Sequence, residues 1–312
     1  SLLPQGQNPD HSEQRQALST VRDILSRRIW DVLPHTGVDL GNAASQLEML
    51  VSQLQESHKI RLLQGRSIIG MGGQFSAGKS GFINSLLGAH DQKALLMEDQ
   101  TPTTSIPTYL TYGRDTEINA YCGMRVVPMD LERLQAITYD FYRKYKIGFS
   151  RYVSNIVIHT ADFPEHLKER VVLLDTPGYN NSREDETSRL SDREIALDQL
   201  RIADFVIWLA DINNGTITQD DLSFIHELDK STPILFVFTK ADQKIEEQVD
   251  NTVRETENTL KDSGINVFGV TAYSSHEHQE YLGRHLINDF LNTAADSQSH
   301  RHDPLPQIDA LI

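Results

Sequence analysis

This chain of 312 residues holds one cysteine, and its lack of several other features already narrows what it can do. Cys122 has no second thiol to pair with, so no intramolecular disulfide forms and a reducing compartment suits the chain. Nothing beside Cys122 marks it as a nucleophile, and it is read as an ordinary thiol. No apolar run approaches the ~20 residues that a membrane span needs, and no signal peptide is recognisable. Positive charge is also short: 29 Lys and Arg against 44 Asp and Glu leave a net charge of −15. Such a surface repels nucleic acid and anionic lipid over most of its area, so nucleic acid is not expected as a partner. A cytoplasmic location is expected, peripheral to a membrane only through regions beyond this chain. The first residue is Ser1 rather than Met, and the chain is read as the excised head of a longer protein.

What is present falls into three stretches. Residues 1–65 carry apolar residues at helical spacing: Leu18, Val21, Ile24, Leu25 and Ile29, then Leu47, Leu50, Val51, Leu54 and Ile60 after a break at Pro34, Gly37 and Gly41. Two amphipathic helices, 11–32 and 42–64, are expected there as a flanking element that needs a partner surface. Residues 66–294 alternate strand and helix, which predicts an α/β fold with a mostly parallel central sheet covered by helices. The strands are read at Ser67–Met71, Ile106–Thr111, Glu117–Cys122, Ser154–Thr160, Val171–Asp175, Phe205–Ala210, Pro233–Thr239 and Val267–Thr271. The helices are read at 80–87 and near 130–146, 190–202, 219–229, 244–263 and 277–293. Residues 295–312 read as a tail or linker.

After the first strand comes Gly73-Gln74-Phe75-Ser76-Ala77-Gly78-Lys79-Ser80, followed by Gly81 and an apolar helical stretch. A G-x-x-x-x-G-K-S run between a strand and a helix is a phosphate loop. Its glycines let backbone N–H groups turn inward, the helix N-terminus adds its dipole, and Lys79 brings a point charge to the β- and γ-phosphates. Ser80 presents a hydroxyl to Mg²⁺. Further on, Val171-Val172-Leu173-Leu174-Asp175-Thr176-Pro177-Gly178 is an apolar strand ending in Asp-x-x-Gly. Asp175 at its carboxyl end is placed to hold Mg²⁺ through water, and the Gly178 N–H is placed to meet a γ-phosphate. Between these motifs, Pro102-Thr103-Thr104 supplies the switch threonine, with Thr104 preferred over Thr103 as the group closing over Mg²⁺.

The base is chosen by Thr239-Lys240-Ala241-Asp242 at the end of another buried strand. Guanine offers an N1–H and a 2-amino group side by side, and one carboxylate accepts from both. Adenine offers neither, which would leave Asp242 unsatisfied. Lys240 can lay its alkyl stem across the base. Thr239 stands where many GTPases carry Asn. Val270-Thr271-Ala272-Tyr273-Ser274 is read as the loop offering backbone N–H groups to the guanine O6, through Thr271 and Ala272. GTP and GDP are therefore the expected ligands, with GTP hydrolysis as the expected reaction.

Taken together, these motifs resemble the GTPase head of the dynamin superfamily, in its bacterial dynamin-like branch. The resemblance rests on the phosphate loop with its Phe75-Ser76 pair, Ile83-Asn84-Ser85-Leu86-Leu87-Gly88, Pro102-Thr103-Thr104, Asp175-Thr176-Pro177-Gly178 and Thr239-Lys240-Ala241-Asp242. It covers about residues 66–293. It implies a fast-cycling head that forms a homodimer across its nucleotide sites, with Ser76, Lys79, Thr104 and Gly178 at the reaction centre. It also implies a monovalent cation, K⁺ or Na⁺, beside Ser76, and flanking helices that pass motion to a stalk. The motifs contain no identifiable arginine finger, and Phe75 brings no group that orients water. A GTP-gated switch with negligible turnover and an RNA- or ribosome-associated GTPase are the alternatives.

Two other clusters read as ordinary surface. Tyr139, Phe141, Tyr142 and Tyr145, interleaved with Arg143, Lys144, Lys146 and Arg151, read as a partly buried helix with a solvated edge. His276, His278 and His285 with Glu277 and Glu280 read as an exposed polar helix start rather than a metal site.

Overall fold

Strands whose residues are apolar on both faces build the centre of the fold. The computed structural model describes residues 65–88, 94–96, 106–122, 125–135, 153–179 and 186–297. All of them belong to one compact unit, Ser57–Ile312. The expected helices 11–32 and 42–64, the switch threonines Thr103 and Thr104, the Tyr139–Tyr145 cluster and the tail beyond 297 lie outside the described residues.

Among the described residues, ten strands form one sheet: β1 (Ser67–Gly72), β2 (Thr108–Tyr112), β3 (Glu117–Cys122), β4 (Arg125–Met129), β5 (Asn155–Thr160), β6 (Val171–Asp175), β7 (Phe205–Asp211), β8 (Ile234–Thr239), β9 (Gly269–Ser274) and β10 (Gln279–Glu280). Their order across the sheet is β10-β9-β8-β7-β1-β6-β2-β5-β3-β4. The block β6-β1-β7-β8-β9 is parallel throughout. β2 pairs parallel with β5 but antiparallel with β6, and β3 is antiparallel to both β5 and β4.

Among the described residues, six α-helices accompany the strands: α1 (Lys79–Leu86), α2 (Leu131–Gln135), α3 (Glu186–Arg201), α4 (Gln219–His226), α5 (Glu246–Asp262) and α6 (Leu286–Asp296). Alternate strand residues feed two cores. Ile69, Met71, Leu173, Ile207, Leu209 and Val237 join Phe82 of α1 and Phe290 of α6 on one face. Ile68, Val172, Leu174, Val206, Trp208 and Phe236 join Phe224 of α4 and Val249 of α5 on the other. With both faces covered, near-continuous apolar strands are the expected sequence, and that is why the pattern in β1, β6, β7 and β8 was legible. α5 buries Val249, Val253, Thr256 and Leu260, a single helical stripe.

Several sequence readings need correction. β4 was not anticipated: it is short, sits at the sheet edge and carries Pro128, a residue that edges tolerate. The strand read from Ile106 begins at Thr108, after Pro107. The helix read over 277–293 begins only at Leu286 and runs to Asp296. Left-handed backbone at His278, Leu282 and His285 stops a helix from forming earlier, and β10 occupies Gln279–Glu280 instead. His276 and His278 therefore sit in the turn before β10, where His278 Nδ1 lies 2.7 Å from Ser85 Oγ, and His285 caps the start of α6.

Candidate nucleotide site

β1 lies between β6 and β7, so the chain leaves the sheet there at the point where the strand order reverses. In open α/β sheets, ligands bind in the crevice outside such strand ends. The loop after β1 is Gly73–Gly78, and Gly78 caps α1 with φ 80° and ψ 23°, a left-handed turn suited to glycine. Ser76 also takes a left-handed conformation, φ 62°, which a non-glycine residue adopts at a cost.

Lys79 is buried, and its ammonium donates to the carbonyl oxygens of Gly73 at 3.1 Å and Gln74 at 2.9 Å. Burial lowers its pKa to about 8, against the raising influence of Asp175 and Asp221. Ser80 Oγ donates to Asp175 Oδ2 at 3.1 Å. Burial raises the Asp175 pKa to about 6, opposed by Lys79 and by the Ser80 hydrogen bond. Its other oxygen, Oδ1, is buried with no hydrogen-bond partner. A half-buried hydroxyl beside a buried carboxylate with one oxygen spare is a hard donor set, and it fits Mg²⁺ completed by waters and phosphate oxygens. The same desolvation that perturbs Lys79 and Asp175 would be relieved by an anionic ligand bearing a divalent cation.

The Asp-x-x-Gly segment is tied to the loop at several points. Thr176 Oγ1 donates to the Met71 carbonyl at 2.6 Å, and the Phe75 N–H donates to the Tyr179 carbonyl at 2.8 Å. A Cβ on Gly178 would stand 2.8 Å from Phe75 Cα and 3.0 Å from Lys79 Nζ, so the loop and this segment touch through glycine.

On the far side of the loop, Thr239 Oγ1 donates to the Ala77 carbonyl at 2.9 Å, with the Ala210 carbonyl at 3.2 Å. Lys240 Nζ reaches Asp211 Oδ2 at 2.6 Å and faces the Ser76 carbonyl at 3.4 Å. Asp242 is exposed, and its Oδ1 accepts from Ser274 Oγ at 2.7 Å. Thr271 and Ala272 do not lie in a loop: β9 runs on to Ser274, and they register with Val237 and Phe238 of β8. The Thr271 hydroxyl donates to Glu280 and Ala272 is fully buried, so Ser274 is the member of that segment that reaches Asp242. Sequence reading also missed Asp211 and Asp221, which hold Lys240 and Gln74. The Thr218-x-x-Asp221 capping pattern was the available signal for the second.

Phosphate loop, Asp-x-x-Gly strand end and Thr-Lys-x-Asp strand end thus converge at one edge of a mostly parallel sheet, the layout of a P-loop GTPase head. The chain belongs to the dynamin family, whose sequence profile matches residues 69–241. It is 24% identical over 260 residues to dynamin-like protein 2 of Campylobacter jejuni, covering 82% of this chain and 37% of that protein. It is 26% identical over 209 residues to an uncharacterised protein encoded in the xynA 3' region of Caldicellulosiruptor, covering 64% of this chain and 47% of that protein. The chain therefore spans less than half the length of these curated relatives. Among solved structures it is similar to one from an oligomerised bacterial dynamin pair, with TM-score 0.51, 17% identity, and coverage of 90% of this chain and 46% of the other. Among the described residues, no helix is long and apolar enough to cross a membrane.

Proposed function

We propose that this chain binds GTP and hydrolyses it to GDP and phosphate with Mg²⁺. The observation that carries the reading is the buried pair Lys79 and Asp175, with the half-buried Ser80 bonded to Asp175 and a spare carboxylate oxygen, at the switch point of the sheet. Backbone groups from Gly73 to Gly81 surround the phosphates, and Lys79 exchanges its loop carbonyls for phosphate oxygens. Ser80 would hold Mg²⁺ directly and Asp175 through water, with Thr104 as the proposed switch residue closing over it, and the bound ion would supply positive charge to the phosphates. Gly178 directs its N–H at the γ-phosphate. Asp242 accepts from the guanine N1–H and 2-amino group, held in place by Ser274, and Lys240 covers the base.

Turnover is proposed to require two heads, a homodimer across the nucleotide sites, because the motifs supply no arginine finger. K⁺ or Na⁺ beside Ser76 is a further proposed requirement. Coupling to a membrane is proposed from likeness to the oligomerised bacterial dynamin pair that provides a mechanism for long-range sensing and tethering of membranes. The test is GTP turnover against protein concentration, with and without K⁺. Specific activity should rise with concentration, and GDP with aluminium fluoride should favour dimers over GDP alone. Flat specific activity from nanomolar to tens of micromolar protein, with monomers by light scattering, would refute the paired head. GTP binding without turnover would make the chain a GTP-gated switch.

A further inference from the structure

Asp221, in the first turn of α4, is only 2% exposed. Four neutral side chains converge on it. Tyr179 OH donates to Oδ1 at 2.6 Å and Trp208 Nε1 at 3.1 Å. Thr218 Oγ1 donates to Oδ2 at 2.7 Å and Gln74 Nε2 at 3.1 Å. A capping box alone explains the Thr218 contacts, since Thr218 is the N-cap and its N–H also faces Oδ2. Such boxes stabilise an exposed helix end; they do not require a buried carboxylate, which is costly unless fully satisfied. Here the additional donors come from elsewhere in the site. Gln74 belongs to the phosphate loop, Tyr179 directly follows Gly178, and Trp208 lies on β7.

These partners hold the two walls between which a terminal phosphate would sit. The Gln74 carbonyl accepts from Lys79, while its amide donates to Asp221 at 3.1 Å and to the Asp221-bonded Thr218 hydroxyl at 2.8 Å. The Tyr179 carbonyl accepts from the Phe75 N–H, while its phenol is fixed by the same carboxylate. Tyr179 also packs on Phe224 at 4.8 Å and on Trp208 at 5.9 Å between ring centroids. Burial, reinforced by the adjacent carboxylate, raises the Tyr179 pKa far above the usual phenol range, so the hydroxyl stays a donor. Gly178 stands against Lys79, so a phosphate held by Lys79 meets Gly178, and any shift it imposes passes to the next residue, Tyr179.

We infer that Asp221 is a positioning residue of the nucleotide site: from behind the phosphate loop it fixes Gln74 and Tyr179, and so sets where Gly178 stands relative to Lys79. This rests on the GTPase reading above. The Tyr179 arm of this contact leads to Gly178 on the γ-phosphate side, so loss of the Tyr179 donor alone should separate turnover from binding.

Tyr179→Phe keeps the ring packing and removes one donor to Asp221. It should lower kcat by roughly tenfold, in line with the loss of one hydrogen bond to a charged group. KM for GTP and affinity for GDP should stay within about threefold of wild type. Asp221→Asn should lower kcat at least as far; because it places an amide among donors it risks the fold, and Tyr179→Phe remains the deciding variant. A spectroscopic readout is available because the chain has two tryptophans and Trp208 donates to the same oxygen as Tyr179. In a Trp30→Phe background, Trp208 emission should differ between GDP and GDP with aluminium fluoride, and Tyr179→Phe should abolish that difference. A kcat within twofold of wild type, or a fall in kcat matched by an equal loss of GDP affinity, would overturn the assignment. A wild-type protein that neither binds nor turns over GTP would refute the GTPase reading itself, and Asp221's role with it.

Discussion

Thr239 offers a direct measure of how the base-side strand supports the phosphate loop. Its side chain is 1% exposed and bonds the Ala77 carbonyl at 2.9 Å, with the Ala210 carbonyl at 3.2 Å. It also packs beneath Gly78, where an added Cβ would meet Thr239 Oγ1 at 3.2 Å. Thr239→Val keeps the shape and β-branching but sets a methyl against the buried Ala77 carbonyl and the half-buried Ala210 carbonyl. One bond worth about 1 kcal/mol is lost, and an unsatisfied acceptor adds about 1–2 kcal/mol, for a total of about 2–3 kcal/mol. A domain of this size loses about 2–4 °C of Tm per kcal/mol, so melting should fall by about 4–12 °C. Because Ala77 lies inside the loop, about 0.7–1.4 kcal/mol of this should appear as a three- to tenfold loss of GDP affinity. Thr239→Ser retains the hydroxyl and should cost only about 0.8 kcal/mol, for one methyl. Calorimetry and fluorescent-GDP titration measure both effects. If Thr239→Val melted within 1 °C of wild type and bound GDP equally well, the claim that Thr239 holds the loop would be wrong.

Lys79→Ala should abolish nucleotide binding with little loss of Tm, since burial already disfavours the charge that is removed; nucleotide titration beside a melting curve checks both. Gly178→Ala places a Cβ 2.8 Å from Phe75 Cα, which should cost about 1–3 kcal/mol of overpacking when the segment docks on the loop. GTP turnover should then fall at least tenfold while GDP affinity holds within about threefold; unchanged phosphate release would show that docking is not needed. Asp242→Asn should move preference from GTP towards xanthosine triphosphate, because the amide can donate to the xanthine 2-oxo group. Competition titrations that leave GTP preferred by its original margin would remove Asp242 from the base site.

The parts of this site that were legible in the sequence share a cause: each is a short run fixed to the end of a buried strand. β1, β6 and β8 are buried throughout and mostly apolar, so their ends, and the residues Gly73–Ser80, Asp175–Gly178 and Thr239–Asp242 found there, could be placed from the pattern alone. What escaped is contact at long range. Asp221 touches Gln74, 147 residues away, and Tyr179, 42 residues away, and nothing in a run around any of them announces the meeting. The sequence reading ends the last strand at Thr271 and takes Val270–Ser274 as a loop meeting the guanine O6, whereas pairing with β8 on one side and β10 on the other extends β9 to Ser274. The helix assigned from 277 failed for the opposite reason. Its polar residues suited an exposed helix start, but local backbone at His278, Leu282 and His285 is left-handed, and Glu280 instead accepts from the first N–H groups of α6 at Leu286 and Ile287. Strand ends thus place the phosphate and base groups, while buried polar side chains contributed by other elements set how those groups stand to one another. The first kind of information is local and survives in any one-dimensional reading; the second exists only once the sheet has brought β7 and α4 up against the loop.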